Sequence, residues 1–428
     1  MKERDTSAVV VRDAAPLVRE RRSRQIRVLT AIGGLVRGGA ETWLLNMVKR
    51  IDRERFRMDV LVNSDEPAAY TPDFLKAGCR ILPCLDYRRP WLYFKHFKRL
   101  YAENGPYDIL HSHVHYYSGV DLTIGQWLNI PVRIVHVHPA RDLQAPSWQR
   151  TIYRELMFAL LRRSATHLLT PSQTSLDAAI AQAGYKIPCR RIVYNGIDLE
   201  AYTKRVDRVD VRRRLGLPVD VPLVSYVARF WRNKNHQQIL RVAERLNAKD
   251  KLAHFVFAGS HGDELGRLKQ ACSRRTDMSM LVGLEEITDL LMASDVFVFP
   301  SLEEGFGIVA LEAQAAGLPV IASNLATIRE ACAPSHRKLM FETNDDDAFL
   351  LRLKRVLESP ALRDSLSLDG REWVKDFSVE ASLSALVEVY EAAMAGLERD
   401  SSCAMERRST CSANPASNAC QRSFIRFL

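Results

Sequence analysis

No run of about 18 apolar residues occurs in this 428-residue chain, so no membrane-spanning helix is expected. The 8 cysteines are scattered without Cys-x-x-Cys spacing and read as reduced thiols of a cytosolic protein. The first 24 residues mix charges of both signs and lack a long apolar core, which excludes a standard signal peptide. Nothing resembles a nucleic-acid-binding module, so nucleic acid is not an expected partner. What is present describes a soluble globular protein. Hydrophobic residues make up 47% and charged residues 26%, over a length sufficient for two α/β domains. The net charge of +10 suits an acidic partner, with anionic lipid and phosphate-bearing substrates favoured.

The most informative stretch runs from Pro300 to Ser323. Asp295 to Phe299 is a short apolar run fit for a buried parallel strand. Ser301 to Gly307 is a polar loop with two glycines, and Ile308 to Ala316 is rich in helix formers. Gly317 then stands where a left-handed cap belongs, and Pro319 stops the helix before a new strand at Val320 to Ala322. Gly305 and Gly307 let backbone approach a ligand just where a helix begins. The first N–H groups of that helix lack internal partners, which makes the loop an anion site suited to phosphate. Glu304 and Glu312 flank it. Carboxylates beside a phosphate are costly unless they accept hydrogen bonds from sugar hydroxyls, so the pattern suits a nucleotide sugar. A βαβ crossover with a solvated glutamate would read the same way.

Three other places carry chemistry. Strand Ile26 to Ile32 leads into Gly33-Gly-Leu-Val-Arg-Gly-Gly-Ala-Glu41 and a helix, another anion-binding arrangement, with Gly38 and Gly39 as its candidates. This loop lacks the G-x-G-x-x-G dinucleotide spacing; a tight structural turn is its plain alternative. Two strands carry histidines, Tyr107 to His115 and Pro131 to His138. Alternation places His111, His113 and His115 on one face, and His136 with His138 likewise. Structural histidines, a metal site and a sugar-pocket lining are the three readings, and no carboxylate or cysteine at ligand spacing supports the metal. After the strand Val224 to Ala228, Arg229 and Lys234 stand five positions apart and can grip a diphosphate from two sides. Trp91 to Leu100 interleaves aromatic and basic residues on an expected helix. It either turns its aromatic side to the core or lies on an anionic membrane face.

The Pro300–Val320 pattern resembles the E-x7-E signature of retaining GT-B glycosyltransferases of family four, in Pro300-Ser301, Glu304-Gly305-Phe306-Gly307, Glu312-Ala313 and Gly317-x-Pro319-Val320. The resemblance implies that Glu304 contacts the transferred sugar and Glu312 the ribose, with the loop amides holding the diphosphate. It implies that Arg229 and Lys234 neutralise the leaving diphosphate and that Gly38 and Gly39 abut it. It also implies a histidine near the transferred sugar at the end of the second histidine strand. His138 fits best, with His113 as the fallback, although Pro139 stands where the family often has a polar residue. Arg37-Gly-Gly-Ala-Glu41 and Arg133-Ile-Val-His-Val-His138 resemble the polysaccharide-building branch.

The expected architecture is therefore α/β of the GT-B type, with two Rossmann-like domains facing a cleft. Residues 1–24 and 399–428 read as disordered tails. Residues 25–198 form an acceptor domain, residues 199–376 a nucleotide-sugar domain, and residues 377–398 a last helix returning to the first domain. The expected activity is retaining, metal-independent transfer from a UDP- or GDP-sugar, with no other cofactor, to a glycan or lipid-linked acceptor in surface or exopolysaccharide synthesis. The expected place is the cytoplasm, with peripheral contact at the inner face of the membrane. A GT-B sugar-nucleotide epimerase and a non-catalytic nucleotide-sugar sensor are the alternatives.

Overall fold

The computed structural model describes residues 24–138, 147–183, 187, 189–248, 252–284 and 286–411. The tail assignments for residues 1–23 and 412–428, and the loop begun by Pro139, lie outside the described residues.

Short apolar runs separated by helical segments fold here as parallel strands joined by crossovers. The first sheet contains β1 (Ile26–Ile32), β2 (Phe56–Val62), β3 (Arg80–Pro83), β4 (Ile109–Ser112), β5 (Val132–His136), β6 (His167–Thr170) and β7 (Cys189–Ile192). Its order is β3-β2-β1-β4-β5-β6-β7, with every neighbouring pair parallel. The second contains β8 (Leu223–Val227), β9 (His254–Gly259), β10 (Met278–Val282), β11 (Val296–Phe299) and β12 (Val320–Ala322) in the order β10-β9-β8-β11-β12, again parallel. Two parallel α/β sheets with this connectivity are the GT-B architecture.

Helices cover both faces of the first sheet, and β1 shows the consequence. Val28 joins the apolar cluster on one face, with Trp43 and Val60; Leu29, one residue on, joins the other cluster with Leu110 and Val135. All four residues of β4 are buried, as central parallel strands require. The second half builds one continuous cluster around Phe255, Phe257, Phe297 and Phe299.

The last helix, Val379–Cys411, leaves the second half and packs on the first. Val379, Leu386, Val389, Tyr390 and Ala393 lie in the same cluster as Val28 and Trp43. Backbone pairing of Ile197 with Phe377 and Val379 pins its entry, at 2.9 and 3.0 Å. Trp43 Nε1 donates to Ser382 Oγ at 2.8 Å, and Ser382 Oγ donates to the Tyr194 carbonyl at 2.6 Å. The helix starts two residues later than expected, after the turn Val374–Phe377, and runs 13 residues past the boundary at 398. From Leu397 to Cys411 the sequence has no proline or glycine to stop it. No helix among the described residues is long and apolar enough to cross a membrane.

Leu386 is fully buried on this returning helix. Leu386→Ala should destabilise the fold by about 2–5 kcal/mol, read as a lowered denaturant midpoint.

Candidate functional site

In an open parallel sheet the ligand crevice lies beyond the carboxyl ends of the strands, where the strand order reverses. The reversal falls between β1 and β4 in the first sheet and between β8 and β11 in the second. The segments leaving those four strands are the glycine loop 33–38, the turn after His113, the Arg229–Lys234 loop and the 300–307 loop. Both glycine loops, the basic pair and the first histidine strand thus lie at reversal points, while the second histidine strand lies one strand away from one.

The 300–307 loop ends on Gly307, which caps the helix Ile308–Ala315 at φ 90° and ψ 50°. An added Cβ there would lie 3.2 Å from the Phe299 ring, so both conformation and space call for glycine. The first N–H groups of a helix lack partners one turn back, and here they follow directly on the Gly307 cap. Phe306 differs from its expected place among donor-binding residues. Its ring is buried against Tyr194 and Phe377, at centroid distances of 5.6 and 5.8 Å, which leaves backbone as its means of touching a ligand.

Lys234 and Glu304 meet directly, Lys234 Nζ on Glu304 Oε1, and Ser301 Oγ donates to the same oxygen at 2.9 Å. Their loops are stitched together beneath them. Leu302 N donates to the Asn233 carbonyl at 2.8 Å, and Asn235 Nδ2 to the Pro300 carbonyl at 3.1 Å. Arg229 is exposed at the mouth of β8. Glu312 is partly buried on the helix behind the loop, and burial pushes its carboxyl up to about 7.

The first half supplies the facing wall. Gly38 precedes the helix Gly39–Arg50. A Cβ on Gly39 would lie 3.1 Å from Ile308 Cδ1, so the starts of the two glycine-loop helices meet across the cleft. Glu41, on the first turn of its helix, has its pKa raised by burial, with its own backbone N–H and the Arg229 guanidinium opposing that shift. The sequence marked Glu41 only as part of a motif; its place opposite Arg229 depends on residues 188 positions apart.

The histidines form an array. His111 and His113 from β4 and the segment after it, and His136 and His138 from β5 and the segment after it, stack side by side. Ring centroids lie 4.2 Å apart for His111–His113, 4.4 Å for His136–His138, 5.1 Å for His113–His136 and 5.2 Å for His113–His138. His113 Nδ1 and His138 Nε2 are 2.9 Å apart, and His111 Nδ1 lies 2.8 Å from Tyr390 Oη on the returning helix. Trp43 closes the array from the first helix, 5.0 Å from the His136 ring. Burial drives all four pKa values down, to about 3 for His111 and about 4 for His138, so the array is uncharged near neutrality. His115 does not share this face. β4 ends at Ser112, and His115 enters a short turn at φ 54° with its ring against Tyr116. Strand alternation stops where the strand stops.

A latch joins the halves. Glu330, on the helix Ala326–Ala331, accepts from Gln173 N at 2.6 Å, Thr174 N at 3.2 Å and Thr174 Oγ1 at 3.1 Å, at the start of the helix Gln173–Ala183. Tyr194 Oη donates to it at 3.3 Å. Ser175 Oγ on the same turn donates to the Gly305 carbonyl at 3.1 Å. The sequence offered no signal for these contacts beyond a serine- and threonine-rich helix start.

Comparison with known proteins adds family. The model described as Glycosyltransferase Family 4 matches residues 37–201, and that described as Glycosyl transferases group 1 matches residues 207–373. EpsF of Bacillus subtilis, named as a glycosyltransferase, is 30% identical over 311 residues, which span 71% of this chain and 81% of EpsF. A D-inositol 3-phosphate glycosyltransferase of Corynebacterium jeikeium is 26% identical over 83% of this chain and 91% of its own. Among solved structures, Anabaena HepE in complex with UDP and glucose superposes with a TM-score of 0.75 at 18% identity, over 86% of this chain and all of that one. Sucrose-phosphate synthase of Thermosynechococcus elongatus gives 0.72 at 21% identity, over 87% of this chain and all of that one. These two likenesses show the fold.

Glu312 generates a prediction about stability. Its folded pKa is raised above the usual 4.5 to about 7. The stability it contributes is therefore full below about pH 4.5 and is lost as pH rises through 7. Glu312→Gln should leave stability little changed at pH 5 and raise it at pH 8, by up to about 3 kcal/mol, in urea titrations of the unliganded protein.

Proposed function

The chain belongs to the glycosyltransferases, its amino-terminal half of the Family 4 type and its carboxy-terminal half of the group 1 type, and from that premise we propose a retaining, metal-independent sugar transfer. The donor is a nucleotide diphosphate sugar bound mainly by the carboxy-terminal half. The acceptor is a glycan or lipid-linked glycan of surface or exopolysaccharide synthesis, bound mainly by the amino-terminal half. The observation that carries this reading is the Lys234–Glu304 pair beside a glycine-capped helix start, with the Gly39 loop packed against Ile308 opposite it.

Each part has a physical task. The free amides at Gly307 and the start of its helix cradle the diphosphate, helped by the helix dipole. Arg229 and Lys234 neutralise the charge that grows on it as the bond from the anomeric carbon to phosphate oxygen breaks. Glu304 accepts from hydroxyls of the transferred sugar while it orients Lys234, and Glu312 accepts from the ribose. The acceptor hydroxyl attacks the anomeric carbon on the face the nucleotide leaves. Its proton passes to the departing phosphate oxygen, which closes the proton balance without a protein nucleophile. His138 lines the sugar pocket as a neutral ring, with His113 behind it. Gly38 and Gly39 let the first loop approach the diphosphate. Closure of the halves excludes water and limits donor hydrolysis. The UDP-glucose bound by HepE makes UDP-sugars the first donors to try. The motifs Arg37–Glu41 and Arg133–His138 support the polysaccharide acceptor.

A peripheral site at the inner face of the cytoplasmic membrane completes the proposal. On the helix Pro90–Asn104, Tyr93, Phe97 and Leu100 are buried while Trp91 is exposed, which supports a core-facing side beside an edge free to meet lipid. Phe94 stacks on Trp91 and meets exposed Trp127 at 5.6 Å, and Lys95, Lys98 and Arg99 are exposed beside them. Trp148, Ile152 and Leu156 form a second exposed stripe at four-residue spacing. Tryptophan with lysine and arginine is the chemistry that enters an anionic lipid interface.

Nucleotide diphosphate release from a panel of UDP- and GDP-sugars, with membrane lipid extract or inositol phosphate as acceptor, tests the transfer. Release should survive EDTA and fall by about 10²–10³ in Lys234→Ala and in Glu304→Ala. Abolition by EDTA overturns metal independence, and donor binding without release favours the sensor. The native chain should sediment with vesicles containing phosphatidylglycerol but not with neutral ones, and a Trp91→Ser, Trp148→Ser double variant should lose most of that binding.

A further inference from the structure

The histidine array holds more unpaired polar atoms than packing explains. Five of its eight ring nitrogens are buried and have no hydrogen-bond partner among the described residues. They are Nε2 of His111, Nε2 of His113, both nitrogens of His136, and Nδ1 of His138. Buried polar atoms are ordinarily paired, because leaving one dry forfeits its bonds to water. A cluster of such atoms facing one another calls for an occupant. We propose that His111, His113 and His136 bind a divalent transition-metal ion of the zinc type, held between the first sheet and the returning helix.

The geometry carries this in three ways. One ligand nitrogen from each of the three residues falls within 4.8 Å of the others. Zn–N bonds of about 2.1 Å place tetrahedral nitrogens about 3.4 Å apart, a closure that imidazole rotations supply. His111 and His136 sit within adjacent strands of a buried sheet and His113 follows one of them directly, so the three rings share one rigid frame.

Secondly, the existing hydrogen bonds prepare the ligands. His111 engages Tyr390 Oη through Nδ1, and His113 engages His138 through Nδ1. With Nδ1 donating in both, Nε2 is the lone-pair atom in both, and Nε2 is the atom left unpartnered. Metal-bound imidazoles characteristically donate their other N–H in this way, which fixes tautomer and ring orientation. Tyr390 and His138 are thus positioning residues for the ion.

Thirdly, the donor chemistry is selective. Three imidazoles and no carboxylate suit zinc, cobalt, nickel or copper, and disfavour magnesium and calcium, which take oxygen. Three protein nitrogens leave a fourth position for water. Metal content is the readout, so the inference stands or falls apart from the glycosyl-transfer proposal.

The full-length protein, without a polyhistidine tag, is stripped with chelator and titrated with Zn²⁺ against a chromophoric competitor, then with Co²⁺ read by visible absorption. One equivalent per chain, a tetrahedral cobalt spectrum and a raised Tm are expected. His136→Gln and His111→Gln should each weaken Zn²⁺ at least about 100-fold, while His115→Ala, outside the array, binds as the native chain does. If both glutamine variants fail to fold, the native protein still decides. Absence of a one-to-one complex, or a cobalt spectrum without nitrogen ligation, overturns the site and leaves a stack of neutral histidines. Zinc affinity unchanged in folded His136→Gln and His111→Gln overturns it equally.

Discussion

Parallel strands cannot be joined by hairpins, and that constraint organises this molecule. Every strand must be followed by a crossover, so all carboxyl ends of a sheet lie along one edge. Where the order reverses, the crossovers leave to opposite faces and open a crevice between them. Each half has one such reversal, and the returning helix fixes the halves with both crevices facing. The glycine loops, the basic pair and the glutamates lie together because of that arrangement, though they are spread over about 280 positions of sequence.

Local chemistry was legible in proportion to how local it is. The unit from Asp295 to Ala322 could be read because glycine and proline punctuate it, and its helix start and left-handed Gly317 stand where the sequence puts them. Strand β1 runs between the expected residues. Arg229 and Lys234 were visible as a spaced pair. That Lys234 would turn to Glu304 depends on two loops 70 residues apart being stitched by backbone bonds, which no periodicity encodes. Glu41 against Arg229 and Glu330 against Thr174 were hidden for the same reason.

The misplaced details have equally specific causes. His115 was carried along by strand alternation, but the strand ends at Ser112 and the chain turns through a left-handed residue. Phe306 sits within a ligand loop by sequence, yet its ring belongs to the apolar seam with Tyr194 and Phe377. A side chain and its own backbone can serve different parts of the structure, and sequence position alone does not separate them. The last helix outran its boundary because residues 398–411 contain no proline or glycine to stop it.

The Glu330 latch has a consequence for how the cleft moves. Both carboxylate oxygens are engaged at a helix start from the opposite half, and the neighbouring Ser175 holds the carbonyl of Gly305 within the donor loop. These bonds share one turn of helix, so they cannot be released singly while the halves rotate as rigid bodies. Separating the halves would break these bonds together, and the carbonyl of Gly305 in the donor loop would lose its partner in the same movement.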